Sequence, residues 1–250
     1  MHLRRASFSF SFFAIKVKQA PLNPCTYDVQ DLKWYMRKQP LATGNIYHIF
    51  TKSIAGFKIF RTKKDYKRII EVLKFYRIKK PPFRFSAYVE LKDRNNFLKR
   101  YVGQAEYIVE IIAYCIMPTH IHLIIRQMDE NGISVFMKNI LDSYTRYFNI
   151  RTKRKGPLWQ SRFKNVMVEN DEQMLHLTRY LHLNPTSDGL AERPEEWPYS
   201  SYAEYIGLAD EKICNTDMLE DLYPDKYRIF VEARIDYQKE ISNLKNILLE

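Results

Sequence analysis

Tyr107-Ile108-Val109-Glu110-Ile111-Ile112-Ala113-Tyr114-Cys115-Ile116-Met117, then Pro118-Thr119, then His120-Ile121-His122-Leu123-Ile124-Ile125-Arg126 reads as two consecutive strands around a proline break. The first run is dominated by Ile, Val and Tyr, the composition of a central strand buried on both faces. Pro118 interrupts it, having no N–H to give to a ladder, and the second run resumes as the neighbouring strand. Side chains of a strand alternate faces, so His120 and His122 share one face while Ile121, Leu123 and Ile125 take the other. Two co-facing imidazoles can share one divalent cation. A lone His-x-His pair is weak evidence, because strands carry such pairs by chance.

Outward from that pair, Ile46-Tyr47-His48-Ile49-Phe50 follows Gly44 and reads as a first strand. A helical stripe of Tyr66, Ile69, Ile70, Val72, Leu73 and Tyr76 predicts a helix over 64–77, with Pro81-Pro82 beyond its end. Residues 85–91 read as a short strand and 95–102 as a short helix. Asn131-Gly132 makes a turn, and Ser134 is placed to cap a helix to Asn149 with Met137, Ile140, Leu141, Tyr144 and Phe148 as its core stripe. Residues 158–168 read as another strand. Asn170, with Gln173 three residues on, opens a helix through Leu183 that Pro185 helps to end. Helices and antiparallel-type strands interleave without regular βαβ repeats, so the class is α+β. Residues 1–40 read as an extension, with Met36 an alternative start; 41–207 as the compact domain; and 208–250 as a charged, mostly helical C-terminal tail broken at Tyr223-Pro224.

The chain has 250 residues, 46% of them hydrophobic, enough for one good-sized core with appendages. Its formal net charge of +11 points to a polyanionic partner, nucleic acid ahead of anionic membrane. Cys25, Cys115 and Cys214 lie far apart and form no CxxC pair, which argues against a structural zinc site or disulfide framework and fits a reducing cytoplasm. No apolar run reaches the ~18 residues that span a bilayer. The Ser-Phe alternation after Arg4 and Arg5 has no cleavage-site pattern, so it is not read as a signal peptide.

A second element gives the histidine pair a context. In Arg179-Tyr180-Leu181-His182-Leu183-Asn184-Pro185, Tyr180 and Asn184 are four apart on a helix and share a face, with His176 one turn earlier. If this helix crosses the histidine strand, a phenol and an amide oxygen converge on the imidazoles. A cation held by His120, His122 and Asn184 would keep open positions for phosphate oxygens, and Tyr180 could attack phosphorus. A phenol of pKa about 10 is ionised to roughly one part in a thousand at neutral pH, so the attack needs assistance. Each residue also has a plainer reading. Tyr180 suits a core aromatic, Asn184 a helix C-terminus, and His176 and His182 packing or surface. Tyr144 and Tyr147 compete as nucleophiles, though neither has an amide four residues on. The basic loop Arg151, Lys153, Arg154 and Lys155, with Arg162 and Lys164 beyond it, reads as a phosphate-facing patch.

Four ordered motifs carry a specific resemblance. They are Ala113 to Leu123 around the histidine pair, Ser143-Tyr144-Thr145-Arg146-Tyr147-Phe148-Asn149, Gly156-Pro157-Leu158-Trp159-Gln160-Ser161-Arg162-Phe163, and Tyr180-Leu181-His182-Leu183-Asn184-Pro185. Together they resemble the single-tyrosine HUH transposases with an IS200-like domain, and within these the REP-associated tyrosine transposase group, whose terminal motif Trp197-Pro198-Tyr199-Ser200-Ser201-Tyr202 is similar. The resemblance covers about residues 41–207. It implies that 41–207 is the catalytic domain, an α+β, ferredoxin- or RRM-like fold with a central antiparallel sheet flanked by helices, and cleavage and rejoining of single-stranded or hairpin DNA through a 5′-phosphotyrosine, with Mg²⁺ or Mn²⁺. By position it makes Tyr180 the nucleophile and His120, His122 and Asn184 the metal ligands; Arg146, in the second motif, joins the candidate DNA-binding residues. Thr119, where the family often has Asn or Asp, and Thr51-Lys52, where Asn-Arg is common, depart from its pattern. Mg²⁺ prefers oxygen shells, whereas imidazole suits Mn²⁺ and later metals.

Two rivals stand beside this reading. One is a domesticated nucleic-acid-binding protein that keeps the site without using it. The other is a metal- or His-dependent phosphoesterase; a His-triad hydrolase would want a third co-facing histidine at 124, which is Ile. Monomer and homodimer are equally compatible with the sequence.

Overall fold

A computed structural model describes residues 40–94, 96, 97, 100, 105–216 and 223–240. Apart from Pro40 the expected N-terminal extension, with Met36 and Cys25, lies outside the described residues.

Among the described residues four strands form one antiparallel sheet in the order β2-β3-β1-β4: β1 Ile46–Lys52, β2 Val109–Ile116, β3 His120–Gln127 and β4 Lys164–Val168. The expected α+β class is what the chain adopts. Leu123, Ile125 and Ile49 are fully buried, and α3 (Gly132–Thr152) packs on β2 and β3 with α1 (Lys63–Tyr76) against it. The histidine face is covered by α4 (Asp171–Ser187), whose Tyr180 ring meets His122.

Several sequence expectations are corrected. β2 is an edge strand, not a central one. It is nonetheless buried on both faces because the C-terminal segment seals its free edge: Ile116 N–H donates to Tyr199 O (2.9 Å), Ser201 N–H to Tyr114 O (2.9 Å) and Asn215 N–H to Ile111 O (2.8 Å). An unsealed edge of this composition would invite pairing with another chain. Residues 85–91 form a helix, α2 (Phe85–Glu90), rather than a strand. Its Phe85 and Tyr88 sit three apart and both pack on Phe75 of α1. Residues 94, 96, 97 and 100 are helical, and the rest of the helix expected over 95–102 lies outside the described residues.

Only 164–168 of the strand expected over 158–168 is in the ladder; the segment before it bridges to the end of β1 through Ser53 and Trp159. α3 is capped by Asn131 in the left-handed region, φ 58°, rather than by Ser134. Finally, α4 runs through Pro185 to Ser187. The proline removes one N–H, but Thr186 and Ser187 hydroxyls donate to Leu183 O (2.7 and 2.9 Å) and Asp188 N–H to Asn184 O (3.0 Å), which carries the last turn.

Beyond residue 207 the described chain is irregular over 208–216 and helical in α6 (Pro224–Glu232), after the short α5 at Tyr202–Tyr205, so the tail expected to be helical is so only in part. Tyr227 of α6 is buried against α4, donating to or accepting from His182 Nδ1 at 2.6 Å. Among the described residues no helix is long and apolar enough to cross a membrane, and Cys115 and Cys214 are free and buried.

Candidate active site

Strand alternation does what the spacing required. His120 and His122 stand on one face of β3 with ring centroids 5.0 Å apart and planes at 83°. Register then adds a residue that no local pattern revealed. β1 pairs with β3 so that Phe50 lies opposite His122 and His48 opposite Ile124. His48 is thus on the diagonal from His122, and its ring stacks on it at 5.2 Å and 17°. The nitrogens His48 Nε2 and His122 Nδ1 are 3.0 Å apart, in a buried contact. The third imidazole that position 124 lacks in sequence arrives across the ladder, with its nitrogen turned to His122. Thr119 Oγ1 lies 2.8 Å from His120 Nδ1. Lys52, the last residue of β1, is opposite His120.

Burial dominates the electrostatics. It lowers His48 to about 4; burial and then the Lys52 charge lower His120 to about 4; burial, His48, His120 and Lys52 together hold His122 well below its ordinary value. All three rings are neutral at pH 7, the protonation state that ligates a cation.

α4 brings in the second motif. Its Asn170 side chain accepts from Gln173 N–H at 2.8 Å, fixing where the helix begins and so which side chains face the sheet. The half-buried Tyr180 ring meets His122 edge-on at 6.0 Å. Asn184 follows one turn later on the same side, buried, with its Nδ2 atom lacking a hydrogen-bond partner. An orphaned buried amide end costs roughly 1–3 kcal/mol. It can donate to a phosphate oxygen or, after a half-turn of the amide, offer oxygen to a cation. With both histidine Nδ1 atoms engaged, the Nε2 atoms are the ones available as ligands. These features fit a divalent cation held by two imidazoles and an amide. Among the described residues no group of three or more His, Cys, Asp or Glu could hold a metal ion.

The other candidates fall elsewhere. His182 faces away, bonded through Nε2 to Ser201 Oγ (2.8 Å) and through Nδ1 to the Tyr227 hydroxyl. His176 meets Arg179 and Phe230. Tyr144 is a core residue donating its hydroxyl to Ile59 O at 2.8 Å, and Tyr147 bonds Asp65 at 3.1 Å. Of the basic set, Arg151 is paired with the fully buried Asp65, which also caps α1. Arg154 braces its own loop through Asn149 Oδ1 and Pro157 O. Arg146, Lys153, Lys155, Arg162 and Lys164 are exposed. Lys164 lies opposite Phe50 and therefore on the histidine face. Gln160 N–H bonds Lys52 O and Ile54 N–H bonds Leu158 O, so the chain leaving the basic loop passes the end of the sheet that carries His120.

Residues 90–184 match the family model described as transposase, IS200 like. A Haemophilus influenzae protein named provisionally as a REP-associated tyrosine transposase is 27% identical over 145 residues, 53% of this chain and 75% of that relative. The REP-associated tyrosine transposase of Escherichia coli K12 is 24% identical over 94 residues, 37% of this chain and about half, 54%, of its own length. A solved structure of a REP-associated tyrosine transposase bound to a REP hairpin aligns with TM-score 0.47 and 14% identity over 72% of this chain and 96% of that one. The resemblance read from the ordered motifs holds: over residues 90–184 this chain matches the IS200-like transposase domain, and the relatives it matches are named REP-associated tyrosine transposases.

Proposed function

We propose that this chain cleaves and rejoins single-stranded or hairpin DNA, with Tyr180 as the nucleophile, in a cytoplasmic setting. The observation that carries the reading is the Tyr180 ring placed edge-on to His122 at 6.0 Å, beside the co-facing His120. A divalent cation, Mn²⁺ or Mg²⁺, held by His120, His122 and Asn184 would polarise the phosphodiester and balance charge in the transition state. Tyr180 Oη attacks phosphorus; the Oη–P bond forms as the P–O3′ bond breaks, leaving a 5′-phosphotyrosine and a free 3′-hydroxyl. The phenol loses one proton and the departing oxygen gains one. Rejoining is the same step in reverse with a different 3′-hydroxyl. Lys52 on β1 and Lys164 on β4, both on the histidine face of the ladder, suit the flanking phosphates, and the exposed cations Arg146, Lys153, Lys155 and Arg162 suit the strand beyond, with Arg154 bracing the loop and Arg151 tying the end of α3 to Asp65.

Tyr180→Phe deletes one oxygen and keeps the ring. DNA binding should persist, while cleavage and the covalent adduct disappear on denaturing gels with a labelled hairpin. An adduct surviving in Tyr180→Phe, or a phosphotyrosyl peptide mapping to 144 or 147, would overturn the assignment. A wild type that binds the hairpin without nicking it favours the non-catalytic binding protein.

A further inference from the structure

We propose that His48 is a positioning residue for the active site: its Nε2 lone pair accepts the Nδ1 proton of His122, fixing the tautomer and ring orientation that turn the His122 Nε2 lone pair toward a cation. The inference rests on the metal reading above and concerns a residue outside the matched 90–184 segment. Two ring nitrogens 3.0 Å apart share one proton. A neutral imidazole carries a single N–H, on one nitrogen or the other. If His48 were the donor, His122 would hold its own proton on Nε2 and have no lone pair to offer outward. Only the opposite direction, His122 Nδ1–H to His48 Nε2, leaves His122 competent as a ligand. His48 then carries its own proton on Nδ1.

Geometry supports an orienting role over casual packing. His48 and His122 are 9% and 6% exposed, so water is a poor substitute acceptor. The His48 ring also packs on Phe50 at 5.1 Å, and Phe50 on His122 at 6.0 Å, which leaves little room for His122 to turn. Thr119 Oγ1, 2.8 Å from His120 Nδ1, stands in the same relation to the other imidazole. Both rings thus have their Nδ1 atoms engaged and their Nε2 atoms left for the site. Outer partners of this kind typically carry 10–100-fold in metal affinity.

The test compares wild type, His48→Gln and His48→Phe. Glutamine reaches far enough to offer its carbonyl oxygen where Nε2 stood, whereas phenylalanine keeps the ring and removes the acceptor. Long-range ¹⁵N–¹H spectra of the metal-free proteins report which nitrogen of His122 bears hydrogen, and calorimetric titration with Mn²⁺ reports affinity; melting curves check that each variant folds. Wild type should show the Nδ1–H form. His48→Phe should lose it and bind Mn²⁺ about 10–100-fold more weakly, and His48→Gln should restore both. Proton on His122 Nε2 in wild type, or unchanged Mn²⁺ affinity in a folded His48→Phe, overturns the inference alone. A wild type that binds no Mn²⁺ overturns the metal reading and this inference with it.

Discussion

Three tyrosines compete as nucleophiles, and their surroundings set them apart. The Tyr144 hydroxyl donates to Ile59 O in the core, and burial, with Asp65 and Tyr147 nearby, raises its pKa far above the ordinary phenol value. It is a poor nucleophile and a useful strut. Tyr144→Phe should therefore cost about 1 kcal/mol in urea unfolding, by stranding a buried carbonyl, and keep DNA cleavage. Tyr147 is held between Asp65 and Arg151, and Tyr147→Phe should likewise leave the adduct at wild-type level in the gel assay. Loss of cleavage in either folded variant would reopen the choice of nucleophile. His120, His122, Tyr180 and Asn184 were legible as candidates because strand and helix periodicities are local: two and four residues suffice to say which side chains share a face. His48 was not. Its role depends on the β1–β3 register, a pairing across 74 residues of chain that no local spacing encodes.

At the scale of elements, two joints carry consequences. Gly132 opens α3, and a Cβ there would press into the Ile108 carbonyl, whose oxygen already accepts from Met128 and Asp129 N–H. That oxygen has no room to retreat, so Gly132→Ala should destabilise by about 1–3 kcal/mol, read as a lower denaturation midpoint, even though alanine favours helix. The second joint is His182, where α4, the sealing segment and α6 meet through Ser201 and Tyr227, with the rings of Tyr202 and Tyr205 around it. Burial lowers its pKa to about 3. Below about 6.5 the unfolded chain takes up a proton there that the folded one refuses, so stability present at neutral pH is lost as pH falls toward 3, by at most about 1.4 kcal/mol per pH unit. Between pH 7 and 4.5, wild type should lose about 2 kcal/mol more than His182→Gln, since the remaining groups titrate in both. Equal losses would show that His182 is protonated inside the fold. These joints also show where element reading failed. β2 looks central because Asn215 and the 199–201 segment bury an edge from far along the chain, and 85–91 looks like a strand because seven residues are too few to separate the two periods.

For the whole molecule, the +11 charge says only that a polyanion is welcome; the fold says which cations are free to meet it. The sequence presents Arg151, Lys153, Arg154 and Lys155 as one patch, and the structure divides their labour. Arg151 is committed to the fully buried Asp65, Arg154 to carbonyls of its own loop, while Lys153 and Lys155 are exposed. Each phosphate neutralised on single-stranded DNA contributes about −0.7 to the slope of log affinity against log salt. If Lys153 and Lys155 each meet one phosphate, Lys153→Gln with Lys155→Gln should flatten that slope by roughly 1.4, with melting unchanged. Arg151→Gln should act the other way round. It strips a buried carboxylate of its counter-charge, which costs roughly 3–5 kcal/mol when a buried pair loses one partner; because Arg151 is partly open to solvent, the lower end is expected. Its salt slope should stay near wild type wherever the protein remains folded. Fluorescence anisotropy with a labelled oligonucleotide across a salt series, alongside melting curves, separates the two outcomes. A flattened slope in Arg151→Gln with full stability would mean that the guanidinium leaves Asp65 for the DNA, and that the strand reaches across the end of α3 as well as over the histidine face.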